Sequence, residues 1–155
     1  MHKYLKIATK YAQGHVYDDF LEYHLCAVIA RGGNIVSVGF NKRNTNSFVE
    51  HYTDKIRGPG RDYSLSTHAE MDAVVIGRSK TDLRGCKIFV ARIRKPGGAS
   101  VVGLARPCEI CENILYAYGI RRAYYTIDDN NYGVMRVKHR DNPVAVDDKE
   151  VFVGE

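Results

Sequence analysis

Two short clusters, His68-Ala69-Glu70 and Pro107-Cys108-Glu109-Ile110-Cys111, hold one imidazole, two thiols and a carboxylate. His68 and Cys108 stand 40 positions apart, so only tertiary folding can unite the clusters. Residues three apart share a helix face. In a first turn, unpaired N–H groups and the positive helix end favour thiolate over thiol. Cys108 and Cys111 at a helix start therefore make a half-site for a metal such as zinc. His68 and Glu70, two apart, point to nearly opposite sides of a regular helix. Both reach one ion only if His68 stands at the helix entrance, with Thr67 or Ser66 as the cap and Glu70 in the first turn, where negative charge is favoured. Two helices side by side on one sheet face, joined through a strand, meet this demand.

The rest of the chain supplies such parts. Tyr4, Leu5, Ile7, Ala8, Tyr11 and Ala12 recur at helical spacing, predicting a first helix over 3–13 that ends near Gly14. Two apolar, β-branched runs, 24–31 and 34–40, flank Gly32-Gly33 and read as a hairpin. Residues 41–67 form a long polar connection of the kind that is often functional. A second helix is expected over 68–79 and a buried strand over 86–93. Lys95-Pro96-Gly97-Gly98-Ala99-Ser100 reads as a turn or flexible excursion. A third helix is expected to begin at Pro107, since proline suits the first helical position, and to end near Gly119. Residues 121–127 and 132–138 read as strands, too close in sequence to be parallel. The tail, 139–155, has no clear pattern. Helices alternating with strands give a layered α/β domain, here a single domain over 1–155 with its core at about 22–138. Cys26 and Cys86 open or lie in apolar runs and read as core. His2, His15 and His139 read as surface residues.

Composition narrows the setting. The hydrophobic share of 45% and charged share of 26% suit a soluble globular protein. No run approaches the roughly 18 apolar residues of a membrane span. Met1-His2-Lys3-Tyr4-Leu5-Lys6 lacks the pattern of a secretory signal. A soluble cytoplasmic protein is expected, in host cytoplasm were the chain viral. The net charge of +5 favours anionic partners, but the basic residues are scattered. The nearest cluster, Arg92, Arg94 and Lys95 with Arg106, and the pair Arg121-Arg122, read as solvated surface.

Three metal ligands leave a fourth position for water, the mark of a catalytic zinc site. The thiolates cancel the charge of zinc, so Glu70 must take the proton from water and pass it on. A structural zinc site would recruit His51 or His24 as fourth ligand and leave Glu70 without a task. A redox Cys-x-x-Cys pair would leave His68 and Glu70 unexplained.

The spacing H-x-E…P-C-x-x-C is the signature of zinc deaminases acting on nucleobases. The chain resembles the cytidine deaminase-like superfamily over roughly residues 22 to 127. The likeness runs through Gly39-Phe40-Asn41, Thr67 to Ala73, Ala105 to Cys111 and Gly119 to Tyr125. It implies a three-layer α/β/α sandwich around a five-stranded mixed sheet, with Zn2+ held by His68, Cys108 and Cys111. It also implies Glu70 as the catalytic proton shuttle and a homo-oligomer. Asn41 matches a position that often meets the sugar or base, and the backbone at Ala69 one that often meets the base; Arg106 and Pro107, beside the metal, complete the expected substrate contacts. The chain departs from many deoxycytidylate deaminases in carrying Lys42-Arg43 after Asn41 and a longer segment over 95–106.

The expected activity is hydrolytic deamination of a small-molecule cytosine nucleoside or nucleotide, with Lys42, Arg43 or Arg106 meeting any phosphate. The second choice is a base in single-stranded DNA or RNA, with Tyr52, Tyr63, Tyr124 and Tyr125 as stacking platforms; an adenine or guanine substrate is a further option. A third reading is a zinc-stabilised binding protein without turnover.

Overall fold

The computed structural model describes residues 1–18, 21, 23–44, 48, 51, 66–95 and 100–139, and the backbone of 151–154. Strands β1 (His24–Arg31) and β2 (Asn34–Phe40) form the expected hairpin. Gly32 takes φ +58° in its turn, a conformation glycine adopts without steric cost. β3 (Lys87–Arg94) pairs antiparallel with β1 and parallel with β5 (Arg122–Thr126). β6 (Asn131–Arg136) returns antiparallel beside β5, as its short connection requires.

These five strands are the body of the mixed sheet, in the order β2-β1-β3-β5-β6. Two short strands widen it. β4 (Val101–Gly103) pairs with the end of β3, within the excursion expected over 95–106. β7 (Val151–Gly154), from the unassigned tail, pairs with β6. Tyr52 and Tyr63, and most of the connection 41–67 and of the tail, lie outside the described residues.

Helices cover both faces and make three layers. Helix α1 (Lys3–Gly14) buries Tyr4, Leu5, Ala8 and Ala12 against Cys26, Val28 and Ala30 of β1 and Phe89, Ala91 and Ile93 of β3. Helices α2 (Ala69–Arg78) and α3 (Glu109–Ala117) cover the other face, over Ala27, Ile29, Ile88, Val90, Ala123 and Tyr125. Alternate residues of each strand thus serve different layers. Cys26 and Cys86 are core, as expected.

Of the expected surface histidines, His15 is exposed and stacks on Phe40 at 3.7 Å. His2 and His139 are half-buried. Nδ1 of His2 accepts from the Tyr4 backbone N–H at 3.1 Å and so caps α1, while its ring packs 4.7 Å from Phe89. His139 packs beside Tyr116.

The layering yields a test. Leu5 is fully buried on the α1 side, away from the face that carries α2 and α3. Leu5→Ala should cost about 2–5 kcal/mol of unfolding free energy and leave metal content unchanged. Denaturant titration and metal analysis check this; loss of metal from folded variant would mean that the two faces are coupled.

Topology positions the helix starts. β2 and β3 both run antiparallel to β1 and therefore point the same way. α2 follows β2 directly, whereas α3 follows β4, which turns back along the end of β3; the Ala105 N–H then donates to Thr126 O at the end of β5, which runs parallel to β3, so both helices begin beyond the same strand ends. Ligands of open α/β sheets bind outside such carboxyl ends.

Candidate metal centre and active site

His68 is the residue before α2, in extended conformation (φ −78°, ψ 157°). Cys108 holds the same place before α3 (φ −74°, ψ 169°). Extended backbone at a helix entrance swings the side chain clear of the helix, and neither residue spends its side chain on capping. This corrects two expectations. α3 begins at Glu109 rather than Pro107, and His68 itself, not Thr67 or Ser66, is the cap residue of α2. The Thr67 hydroxyl donates instead to the Asn44 carbonyl at 2.6 Å.

Two backbone hydrogen bonds between Lys42 and Thr67, 2.8 and 3.1 Å long, close the long connection and bring His68 to the end of β2. Asp72 in α2 accepts from the Phe40 N–H and from Lys42 Nζ, both at 3.0 Å. Small residues let α2 lie close on β2: Ser37 Oγ donates to the Ala73 carbonyl at 2.8 Å, and Gly39 faces the backbone of Ala69 and Ala73. α3 is closed by Gly119 at φ +81°, with Gly119 N–H donating to Tyr116 O and Ile120 N–H to Leu115 O, the pairing of a Schellman motif.

The helix starts bring three donors together. His68 Nδ1 lies 3.5 Å from Cys108 Sγ and 3.3 Å from Cys111 Sγ. The donor atoms of these residues all fall within 4.8 Å of one another, and among the described residues no further His, Cys, Asp or Glu joins them. His24, weighed as a fourth ligand, stacks instead on Tyr17 at 4.1 Å.

The electrostatics suit a cation. A hydrogen bond from Cys111, aided by His68, draws the Cys108 thiol down to about 4. Burial, then the neighbouring Cys108, pushes Cys111 well above the usual thiol range. A divalent ion takes both as thiolates and would displace any proton they hold. Burial raises the Glu70 carboxyl more than nearby His68 lowers it. Glu70 Oε1 is buried without a hydrogen-bond partner, and such groups are rare unless a ligand, ion or catalytic task accounts for them. One imidazole and two sulfurs beside a carboxylate with one orphaned oxygen fit zinc.

A cleft of about 360 Å³ opens over this centre. His68, Ala69, Glu70, Cys108, Asn41 and Arg106 line it, as do Arg92 and Tyr23, which lie outside both motifs. Pro107 is buried and leads into Cys108 but is not among the residues lining the cleft. The Asn41 amide is engaged by the chain itself: Nδ2 donates to Tyr23 O and Oδ1 accepts from Leu25 N–H, both at 2.8 Å.

Two phosphate candidates lie off this cleft. Lys42 is paired with Asp72, the Arg43 backbone N–H donates to Asp18, and neither residue lines the cleft. Of the four stacking platforms, Tyr124 and Tyr125 are corrected. Tyr125 is fully buried, and Tyr124 packs with Phe89 on the opposite face. The signal for Arg92 was present in the alternation Ile88, Val90, Arg92, which puts it on the metal side of the sheet.

The profile of the family described as "Cytidine and deoxycytidylate deaminase zinc-binding region" matches residues 1–127. No curated protein sequence matches. Among solved structures, a cytidine deaminase from Burkholderia pseudomallei superposes with a TM-score of 0.52 at 16% identity, over 97% of this chain and 91% of that one. A dCMP deaminase from the cyanophage S-TIM5, in complex with dCMP and dUMP, gives 0.48 at 20% identity, over 79% of this chain and 76% of that one. At these identities the first likeness speaks for the fold alone. Among the described residues no helix is long and apolar enough to cross a membrane.

Proposed function

This chain belongs to the cytidine and deoxycytidylate deaminase zinc-binding family, and from that premise we propose that it removes the exocyclic amino group of a cytosine nucleoside or nucleotide by hydrolysis, giving the uracil form and ammonia. The observation that carries the reading is Glu70, buried with Oε1 unpartnered, which lines, with the metal donors His68 and Cys108, a cleft sized for a small ligand.

His68, Cys108 and Cys111 would hold a zinc ion, which would supply Lewis acidity and lower the pKa of water. The remaining work falls to protein groups. Glu70 accepts a proton from the attacking water as its oxygen joins C4 of the base, and delivers that proton to ring nitrogen N3. It then carries the second proton of that oxygen to the amino group. The C4–N bond breaks and ammonia leaves. A carboxyl raised by burial suits a group that must both take and return a proton. Ala69, at the start of α2, borders the same space, where it orients the base and excludes water; Asn41 shapes the wall through the backbones of Tyr23 and Leu25, and Arg106 stands beside Pro107 on the same cleft.

Purified protein should hold about one zinc per chain and release ammonia from a panel of cytosine compounds. The panel should include free base, nucleosides, mono- and triphosphates, and oligonucleotides. Chelation should abolish release and added zinc restore it. Zinc-loaded, folded protein that frees no ammonia from any member would overturn the proposal in favour of a zinc-stabilised binding protein.

A further inference from the structure

On the metal side of the sheet, β3 presents Ile88, Val90 and then Arg92. Ile88 and Val90 are fully buried in the core beneath α2 and α3. Arg92 is the next step along that face and lines the cleft with His68 and Glu70. Its side chain is braced on two sides. The guanidinium carbon lies 3.7 Å from the centroid of the Tyr23 ring, and Nη1 donates to the Leu104 carbonyl at 3.2 Å. Its backbone N–H donates to the Thr126 hydroxyl, which holds β3 in place where β4 takes over from β5 as its neighbour.

Tyr23 is held in turn. The Asn41 amide bridges the backbones of Tyr23 and Leu25 and so fixes the strand entrance that carries the stacked ring. A guanidinium has five N–H donors, and Leu104 takes one of the Arg92 set. Arg92 forms no ion pair among the described residues, and Glu70 is the sole carboxylate among the lining residues. Holding a half-buried cation here costs desolvation. A braced, stacked guanidinium with open donors matches an anionic oxygen fork such as phosphate.

We propose that Arg92 is the seat for the 5′-phosphate of a cytosine mononucleotide, and that the chain therefore prefers nucleotides to nucleosides. This rests on the deaminase reading above. Arg92 is then a specificity residue, and Asn41 is a positioning residue that acts through Tyr23.

The test compares kcat/KM of the zinc enzyme for cytidine and deoxycytidine, their 5′-monophosphates, and a single-stranded oligonucleotide containing one cytosine. Wild type should favour each monophosphate over its nucleoside. Arg92→Gln should lower that preference by about 10- to 100-fold, mainly through KM. Arg92→Lys should recover part of it, because lysine keeps the charge but loses the stack and the fork. Asn41→Ala should lower the same ratio by a smaller factor. Equal use of nucleoside and monophosphate by wild type, or an unchanged ratio in Arg92→Gln, overturns the proposal. More efficient turnover of the oligonucleotide than of the monophosphate overturns it as well. Should the variants fail to fold, inorganic phosphate decides: competitive inhibition of monophosphate turnover in wild type, stronger than any inhibition of nucleoside turnover, supports the seat, and its absence refutes it. Failure of the deaminase reading looks different, because no compound then yields ammonia.

Discussion

Glu70→Gln is expected to lower kcat by about 10²- to 10⁴-fold, the range for a lost general acid–base group, while zinc stays bound. Glutamine has nearly the shape of glutamate and fills the same buried space, so the packing of α2 on the sheet survives. His68, Cys108 and Cys111 are untouched, and their donor atoms remain within reach of one ion. What disappears is a site that can take up a proton and give it back. Stability should hold or rise slightly, because burial already works against the charged form of Glu70 and the amide carries no charge to desolvate. Steady-state kinetics, metal analysis and thermal unfolding on one preparation read all three effects. Turnover at the wild-type rate would end the proton-shuttle assignment. Loss of zinc from folded Glu70→Gln would instead make the carboxylate a ligand.

Among the described glycines, Gly39→Ala brings a methyl group into the closest contact with backbone atoms and should be strongly destabilising. A Cβ at Gly39 would overlap the backbone nitrogen of Ala73, and would lie 2.5 Å from the Ala69 carbonyl oxygen and 2.8 Å from Ala73 Cα. These are backbone atoms, so no rotamer change relieves the clash; α2 must lift from β2 as a body. That movement pulls on Asp72, bonded to the Phe40 N–H, and on His68 one residue before the helix. Overpacking of cores costs about 1–3 kcal/mol where side chains can yield, and a rigid backbone contact should cost at least about 3 kcal/mol. Soluble protein that forms should have lost zinc affinity, because His68 no longer meets Cys108 and Cys111. A folded Gly39→Ala variant with wild-type stability and zinc affinity would show that the close approach of α2 to β2 is not needed.

The elements that could be read from the chain are those set by neighbours in sequence. The stripe of Tyr4, Leu5, Ala8 and Ala12, the turn at Gly32-Gly33 and the closing hairpin after β5 all formed where periodicity and turn chemistry placed them. The helix starts were legible to within two residues. The error at Pro107 arose because proline signals a helix beginning, whereas the need of Cys108 to face His68 holds that residue extended and delays the first turn. β4 and β7 were not legible. Each is short, and each exists because a longer strand offers it an open edge, a fact absent from its own sequence.

The basic residues make the same point. Arg92, Arg94, Lys95 and Arg106 look like one solvated group in sequence. In the fold Arg94 and Lys95 are exposed, Lys95 reaches the carbonyl of Gln13, and Arg92 and Arg106 turn to the cleft. Lys42, which seemed aimed at a substrate, is answered by Asp72 thirty positions away.

The sequence by itself determined the donor set and its local settings, because helix starts, turns and alternating faces come from interactions within a few residues. Only the tertiary structure decided that both helices begin at the same strand ends, that Asn41 grips its own backbone, and that Arg92 emerges where the helices no longer cover the sheet. Those outcomes depend on strand direction and on which patches of the sheet remain uncovered, and both are properties of the assembled layers.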